Sequence, residues 1–226
     1  MPACTDIGAR GPLLICGEIE HYGMQQSWIG GGMRFSYCTE HDLPDISRML
    51  SKESVCRWLF FEPNTDEATR SYFLPLIGEM WAALAEGRMP DHHVFTARLE
   101  DAGDFVGQCA LLPVDFNPGS FLIGYQLDDI YWKRGYGTLA CTFLVYFAFI
   151  VLEGYRLNGD TVAGNTASRR VMERCGFVLE GTQRRYWHAG GGYHDRLIFG
   201  LLKSDLALER LSRLGETFTA EHSVAV

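Results

Sequence analysis

The feature that most constrains the fold is a short glycine-bearing turn between two apolar segments. Phe121–Leu127 has the length and composition of a buried strand, whereas the apolar run from Leu139 to Leu152 is too long for a strand and indicates a helix. Gly135 and Gly137 lie between them. The first N–H groups of a helix have no intrahelical acceptor, and the helix dipole adds positive potential at that end. The turn therefore predicts an anion site at which a ligand can approach the backbone.

Two basic residues sharpen this prediction. Lys133 and Arg134 place full positive charges beside the turn, and we interpret it as a cradle for a pyrophosphate. The alternative is a tight strand-to-helix connection that binds nothing. Other nucleotide sites fit poorly, because the sequence has no G-x-x-x-x-G-K-[ST] loop and Gly135-Tyr136-Gly137 lacks the third glycine of a dinucleotide fingerprint.

Composition narrows the class of protein. A chain of 226 residues, 47% of them hydrophobic, can form one well-filled domain. The net charge of −8, from 28 acidic and 20 basic residues, disfavours a nucleic-acid partner, whose binding needs a basic face. The same charge suits a substrate that carries an amine, although overall charge says little about any particular ligand.

Cysteine usage and hydropathy bear on the compartment. The seven cysteines are scattered, without a CxxC pair or a zinc-like set, which predicts reduced thiols in a cytoplasmic protein that holds no metal. Residues 1–20 lack the basic start and the apolar core of a secretory signal. The apolar run 139–152 is shorter than the ~18 residues expected of a membrane span, so we expect a buried helix and no membrane partner.

The sequence divides into three parts. Residues 1–32 are glycine-rich and end in a triple glycine, so that a disordered arm, a β-hairpin extension and a dimer contact all stay open. Residues 33–203 form the predicted domain. Residues 204–226 are predicted to form a tail with a short helix and a frayed end.

Hydrophobic periodicity predicts the elements inside the domain. Alternation indicates a strand at Met33–Tyr37, and helical spacing indicates a helix from Asp66 to Glu86 that kinks or breaks at Pro75. Asn165 and Gly176 are residue types that begin and end a helix. Further strands are predicted at Val94–Leu99, Phe105–Leu112, Leu157–Val162, Phe177–Leu179, Arg184–His188 and Arg196–Leu202.

Three separated groups of residues occur in a specific order and spacing. They are Ile123-Gly124-Tyr125-x-Leu127 with Trp132-x-x-Gly135-Tyr136-Gly137, then Asn165-x-x-Ser168 with Val171-Met172-Glu173-x-Cys175-Gly176-Phe177, and finally Glu180-Gly181 with Tyr193-His194-Asp195. The ordered set resembles the GNAT superfamily of acyl-CoA-dependent N-acyltransferases, and within it the branch of the ribosomal-protein alanine acetyltransferases. The resemblance covers about residues 33–203.

The resemblance implies an α/β (α+β) fold, in which a mixed, mostly antiparallel sheet of six to seven strands is split like a V and flanked by helices. Acetyl-CoA would lie in the opening as the co-substrate. Its pyrophosphate would bind backbone N–H groups of the turn, and its pantetheine arm would pair with the exposed strand edge. The residues implied in acetyl-CoA binding are Gln126, Leu127, Trp132, Lys133, Arg134, Gly135, Tyr136, Gly137, Thr138, Asn165 and Ser168.

The resemblance has specific implications for Asn165, Ser168 and Trp132. Family members use the residue at Asn165 to contact the pantetheine arm, and Ser168 would lie near the thioester sulfur. Both residue types also favour helix N-termini as caps, and the two roles can hold together. Trp132 stands where the family usually has Gln or Arg, and tryptophan there is common in the branch named above.

Acyl transfer needs a neutral amine, a polarised carbonyl and a stabilised leaving thiolate. A free alkyl amine has a pKa of about 10, so a base or a desolvating pocket is required. The resemblance implies that a backbone N–H near Leu127 binds the oxyanion and that Ser168 donates to the thiolate. Many relatives carry Glu where this sequence has Leu122, so the base must differ; a water relay or an already neutral substrate would also suffice. The candidate bases are His188, His93, His92, Asp128 and Glu180, with His188 chosen beside Ser168 as the catalytic pair.

The acceptor site is expected between the helical segments from Arg57 to Trp81 and the hairpin from Tyr186 to Tyr193. The region is strongly aromatic, which a buried core also explains. Glu62, Asp66 and Glu67 would suit a cationic amine.

Together these inferences predict an acetyl-CoA-dependent N-acetyltransferase that works by direct transfer in a ternary complex. The acceptor would be a protein or peptide N-terminus or a small-molecule amine. A ping-pong route through Cys109, Cys141 or Cys175 is disfavoured, because Cys141 lies in an apolar helix where its thiol pKa is not expected to fall. The alternative, motivated by the missing family carboxylates, is a non-catalytic CoA-binding sensor or interaction module. A homodimer stays open.

Overall fold

The core of the computed structural model, which describes residues 25–189 and 191–222, is a single sheet. Its strands are β1 (Gln25–Gly30), β2 (Met33–Tyr37), β3 (His93–Leu99), β4 (Phe105–Pro113), β5 (Ser120–Leu127), β6 (Arg156–Val162), β7 (Val178–Ala189), β8 (Gly192–Leu202) and β9 (Thr219–His222). The helices are α1 (Leu43–Leu50), α2 (Glu53–Cys56), α3 (Asp66–Ala85), α4 (Tyr136–Tyr146), α5 (Thr166–Cys175) and α6 (Leu208–Thr217).

The nine strands lie in the order β7-β8-β6-β5-β4-β3-β2-β1-β9. Every neighbouring pair is antiparallel except β5 and β6, which are parallel. These two pair only from Ser120 with Arg156 to Leu122 with Asn158. Beyond Leu122, β5 continues to Leu127 while bonded to β4 alone. The sheet therefore opens between β5 and β6, and the predicted V-split, mostly antiparallel α/β fold is confirmed.

Helices cover both faces of the sheet. On one face α4 packs its aromatic side chains into the core, and the rings of Phe35 and Phe143 stack with centroids 4.1 Å apart. The helix continues into a π-helical turn at Phe147–Val151. On the other face α1 and α3 enclose a second apolar cluster that includes Ile46 and Ile77. Among the described residues, no helix combines the length and apolarity needed to cross a membrane.

The sequence predicted either a kink or a break at Pro75, and the break is wrong. Helix α3 runs from Asp66 to Ala85 with Pro75 inside it. Pro75 and Ser71 are both exposed, so water can bond the carbonyl that the missing N–H leaves free. Buried Phe73 and Ile77 hold the helix on the sheet on either side of the proline.

The sheet has nine strands rather than six to seven, because both ends of the described chain add to one edge. Strand β1 forms a hairpin with β2, so residues 25–32 adopt the hairpin alternative, while residues 1–24 lie outside the described residues. The tail forms the short helix α6, but the expected frayed end is wrong for 219–222, which pairs with β1. Residues 223–226 also lie outside the described part. The domain limits at 33 and 203 stay a prediction.

The two strands predicted at 177–179 and 184–188 form one strand. β7 pairs with β8 along its length, with register shifts between Leu179 and Gly181 and between Gln183 and Trp187. These irregularities interrupt the alternation of side chains, which is why the sequence pattern indicated two short strands. The first four residues of β8, 192–195, lie before Arg196, the last β8 residue that pairs with β6. The tip of the β7–β8 hairpin therefore extends past the end of β6.

Candidate active site

The predicted cradle lies at the N-terminus of α4. Gly135 is the residue that caps the helix, and its φ of +91° is a left-handed conformation that favours glycine. The first intrahelical bond runs from the N–H of Leu139 to the carbonyl of Gly135 at 3.1 Å. The N–H groups of Tyr136, Gly137 and Thr138 therefore have no acceptor within the helix. The position where a Cβ of Gly135 would lie is open, so a ligand has room to reach these groups.

The loop before the cradle is held by its own side chains. The indole Nε1 of Trp132 donates to the carbonyl of Leu127 at 2.9 Å, which ties the loop to the end of β5. The guanidinium of Arg134 lies over the ring of Tyr131, 5.7 Å from its centroid. Lys133 adopts a φ of +64°, which is uncommon for a side chain other than glycine. Trp132 thus stabilises the shape of the loop whether or not it also touches a ligand.

The edge of β5 that faces the opening supplies a second set of backbone groups. The N–H of Asp128 donates to Val106 of β4 at 2.9 Å. Because successive N–H groups of a strand point to opposite sides, the N–H of Leu127 points away from β4 and into the opening. On β5, the side-chain carbonyl of Gln126 accepts a short hydrogen bond from the buried amide of Gln108. The side chains of Gln108 and Gln126 are thus joined across β4 and β5 at the strand edge.

Across the opening, α5 begins at the residues predicted from the sequence. The side chain of Asn165 accepts from the N–H of Ser168 at 3.1 Å, so the capping role is realised. The hydroxyl of Ser168 lies 3.0 Å from that of Tyr125 on β5. Burial raises the pKa of Tyr125 well above its ordinary value, so the phenol stays protonated. This hydrogen bond links the two arms of the V.

A cavity of about 710 Å³ lies between residues 53–63 and the tip of the β7–β8 hairpin. The structure thus brings together the two regions from which an acceptor site was expected. The ring of Phe60 stacks on Trp187 with centroids 5.1 Å apart. The lining residues are Glu53, Ser54, Cys56, Arg57, Leu59, Phe60, Phe61, Glu62, Pro63, His188, Ala189 and Gly191.

The comparisons with known proteins settle the family. The profile of the "Acetyltransferase (GNAT) domain" matches residues 33–178. The chain belongs to the GNAT acetyltransferase family. GNAT N-acetyltransferases use acetyl-CoA, so this protein is an acyltransferase.

Curated and solved relatives agree with this assignment. YdaF of Bacillus subtilis strain 168, provisionally named a ribosomal N-acetyltransferase, is 29% identical over 157 residues, which cover 69% of this chain and 81% of that protein. The ribosomal-protein-S5-alanine acetyltransferase of Vibrio fischeri has a TM-score of 0.67 at 17% identity and covers 80% of this chain and 98% of its own. The spermidine N-acetyltransferase of Vibrio cholerae, solved with CoA and spermine, has a TM-score of 0.64 at 16% identity, covering 77% and 97%. The two structures share the fold.

Four of the five candidate bases of this GNAT domain are engaged elsewhere. Burial lowers the pKa of His93 to about 3, and its Nδ1 lies 3.0 Å from the hydroxyl of Tyr37. The Nε2 of His92 lies 2.8 Å from the carbonyl of Leu76. Buried Asp128 accepts hydrogen bonds from Arg48 at 2.9 Å and from Lys52 at 2.6 Å. Glu180 forms an ion pair with Arg156 at 2.5 Å.

His188 differs from these four. It is exposed, lines the cavity, and contacts the ring of Tyr193 edge-on with centroids 5.1 Å apart. Its side chain is therefore accessible from the cavity. The geometry supports the choice of His188 over the other candidates, whereas its role in catalysis stays a prediction.

The acidic residues of the acceptor side were only partly predicted. Glu62 lines the cavity, whereas Asp66 and Glu67, at the start of α3, do not. Glu53 does line it and was missed. No signal in the sequence marks Glu53, because α2 is a single turn and the cavity depends on a hairpin far along the chain. Phe73 and Trp81 belong to the core, and the Nε1 of Trp81 donates to Cys38 at 2.8 Å.

The described cysteines carry free thiols, and all five are buried. Burial raises the pKa of Cys109. A hydrogen bond with Cys175 and burial together raise the pKa of Cys141, whereas the same bond lowers the pKa of Cys175. In the part of the chain that the structure describes, no group of three or more His, Cys, Asp or Glu side chains is placed to hold a metal ion.

Proposed function

We propose that this protein transfers an acetyl group from acetyl-CoA to a primary amine by direct attack in a ternary complex. The observation that carries the proposal is the break in the sheet after Leu122. It exposes the edge of β5 beside the N-terminus of α4, and the cavity that contains His188 lies at the hairpin of the other arm. Donor and acceptor would thus approach from different sides of the opening.

Backbone groups would hold the donor. The free backbone N–H groups of Tyr136, Gly137 and Thr138, together with those of Arg134 and Gly135, would bind the pyrophosphate. Lys133 would add a positive charge beside it. The edge at Gln126 and Leu127 would pair with the pantetheine arm, beside Asn165 and Ser168 on α5. A thioester supplies an electrophilic carbonyl and a good leaving group. The N–H of Leu127, which points into the opening, would donate to the oxyanion that forms there.

Side chains would move the protons. His188 would take a proton from the attacking amine as general base, since a neutral imidazole can accept one near neutrality. The hydroxyl of Ser168 would donate to the departing thiolate while it accepts from Tyr125, which stays protonated. No covalent enzyme intermediate is needed, and the burial of Cys109 and Cys141 disfavours them as nucleophiles.

The acceptor would be a cationic amine, either a protein or peptide N-terminus or a small molecule. Glu53 and Glu62 attract a cation to the cavity, and Phe60 offers an exposed ring beside it. A relative named for ribosomal N-acetylation and a structural neighbour solved with spermine support the two acceptor classes. We place the protein in the cytoplasm, which the free thiols support. A homodimer stays a prediction.

An amine screen tests the proposal. Purified protein is incubated with acetyl-CoA and a panel of N-terminal peptides, polyamines and small amines, and released thiol and acetylated product are measured by absorbance and mass spectrometry. We expect turnover with at least one amine, abolished by Gly135→Asp. CoA binding without turnover on any amine would favour the sensor alternative, and a stable acetyl-thioester on the protein would contradict direct transfer. Failure to bind CoA would contradict both the acetyltransferase and the sensor function.

A further inference from the structure

Residues 52–63, here called the bridging segment, contact both arms of the V. At the β6 arm, the ring of Trp58 lies directly on the backbone of Gly164. A Cβ placed on Gly164 would lie only 2.5 Å from Cη2 of Trp58, so glycine is required for this contact. Gly164 immediately precedes Asn165, the cap of α5. The wall of the acceptor cavity is therefore packed against the end of one arm.

At the β5 arm, the same segment is held by charged and polar side chains. The ammonium of Lys52 lies 2.6 Å from Oδ1 of Asp128 and 2.7 Å from Oδ1 of Asp129. The hydroxyl of Ser54 donates to Oδ2 of Asp129 at 2.6 Å. Both oxygens of Asp129 thus bond to the bridging segment, at its first residues and next to the cavity. We call Lys52, Ser54 and Asp129 the polar bridge.

Asp129 also belongs to the loop that forms the cradle. It begins the short 3-10 turn that ends at Tyr131. The ring of Tyr131 contacts that of Tyr136, the first residue of α4, with centroids 6.0 Å apart. The next residue, Trp132, bonds to Leu127 on the donor edge. A change in the position of the cradle loop is therefore passed to Asp129 through one turn of backbone.

The polar bridge is stable over the range of pH in which an acetyltransferase works. Hydrogen bonds from Lys52 and then Ser54 lower the pKa of Asp129 to about 2. Asp128 keeps a second partner in Arg48 at 2.9 Å, so it is neutralised even without the bridge. Removing Asp129 therefore removes its bonds to Lys52 and Ser54, while Lys52 and Arg48 stay paired with Asp128 and no buried charge is left unpaired.

We propose that the polar bridge couples the donor site to the acceptor site, with Lys52, Ser54 and Asp129 as positioning residues. Donor binding fixes the cradle loop, the loop fixes Asp129, and Asp129 holds the bridging segment in place as the wall of the acceptor cavity. The proposal rests on the proposed function for the identity of the two ligands. Coupling between two binding sites is reciprocal, so an acceptor would tighten donor binding by the same factor.

Hydrogen exchange with CoA as the probe tests the coupling without an acceptor. Amide exchange is followed by mass spectrometry for wild type, Asp129→Ala and Ser54→Ala, each with and without saturating CoA. In wild type we expect CoA to slow exchange both at 133–139 and at 53–63, the latter about fivefold or more. In Asp129→Ala the effect at 133–139 should persist, whereas that at 53–63 should fall below about twofold. Glu86→Gln, which removes an exposed ion pair with Arg88 at the end of α3, serves as the matched control and should behave as wild type.

The possible outcomes separate the coupling, the polar bridge and donor binding from one another. Protection of 133–139 without protection of 53–63 in wild type would overturn the coupling while leaving donor binding intact. Equal protection of 53–63 in wild type and Asp129→Ala would overturn the role of the polar bridge. Absence of any CoA effect in wild type would instead overturn the proposed function on which the coupling rests. If Asp129→Ala does not fold, as judged by circular dichroism, Ser54→Ala decides, with an expected loss of at least half of the protection at 53–63.

Discussion

The donor and acceptor sides of this GNAT domain are built in different ways. The cradle is made by residues 131–138, which follow one another in the chain, and it offers mainly backbone N–H groups. The acceptor cavity is made by residues within 53–63 together with His188, Ala189 and Gly191, and it offers mainly side chains. The first depends on local backbone geometry, whereas the second depends on how distant segments pack. The donor side should therefore be sensitive to single backbone changes, and the acceptor side to changes of side chains.

The largest effect is expected from Gly135→Asp. It places a Cβ at a φ of +91° and a negative charge at the helix end that would bind a pyrophosphate. We expect the dissociation constant for acetyl-CoA to rise about 100-fold or more, measured by calorimetric titration.

Gly103→Asp is the matched control for this change. Gly103 has a φ of +72° in the turn between β3 and β4, with open space around it, so the variant carries a similar backbone penalty away from the cradle. Acetyl-CoA binding should be unchanged. Equal losses in the two variants would show that backbone strain, and not the cradle, explains the result.

His188→Ala should have the next largest effect, and only on turnover. Loss of a general base is expected to reduce kcat/KM about 100-fold while the affinity for acetyl-CoA stays the same. A variant with wild-type kcat/KM would remove His188 from the mechanism and leave a water relay.

Stability in acid should depend on His93, which belongs to neither side. Burial holds its pKa at about 3, below the ordinary value of about 6.5, so the unfolded chain takes up the proton first as pH falls. Its contribution to stability is complete above pH ~6.5 and is lost toward pH ~3, at no more than about 1.4 kcal/mol per pH unit. Urea unfolding from pH 7 to pH 5 should show this slope in wild type and a shallower one in His93→Phe. The same slope in wild type and in His93→Phe would assign the acid sensitivity to other groups. His188→Ala, which changes an exposed histidine, is the control and should keep the wild-type slope.

Ser168→Ala should have the smallest effect, a fall in kcat of about tenfold, which corresponds to one hydrogen bond. Tyr125→Phe breaks the same Tyr125–Ser168 contact at 3.0 Å but keeps the serine hydroxyl. Steady-state kinetics should therefore show a smaller loss for Tyr125→Phe. Equal losses in the two variants would mean that Ser168 only joins the arms of the V.

The parts of the fold that sequence patterns predicted are the local ones. Strand β2 begins and ends at the predicted residues, Asn165 caps α5, and Gly176 ends it in a left-handed conformation. The break that was one alternative at Pro75 does not occur, because burial of the neighbouring Phe73 and Ile77 outweighs one missing hydrogen bond. The pattern also failed to detect β9, which is short and is fixed only by pairing with β1.

The same division applies to the candidate site. Gly135 could be found because a strand, a turn and a helix in succession determine its geometry. Glu53 could not, because nothing in its own neighbourhood shows that the β7–β8 hairpin will lie across from it. The engagement of His92, His93 and Asp128 was equally hidden, since their partners lie on other elements. The folded arrangement shows why His188 is available where these three residues are not.

The parallel contact between β5 and β6 spans three residue pairs, and this narrow joint has an evolutionary consequence. The half of the sheet with β1 to β5 carries the backbone edge that every acyl donor of this kind would share. The half with β6 to β8 carries the hairpin that meets the acceptor. Insertions or substitutions in the hairpin share only this short backbone ladder with the donor edge. A lineage can therefore remodel the part of the acceptor cavity that the hairpin supplies, while residues 53–63 and the donor edge stay in the half that it inherits unchanged.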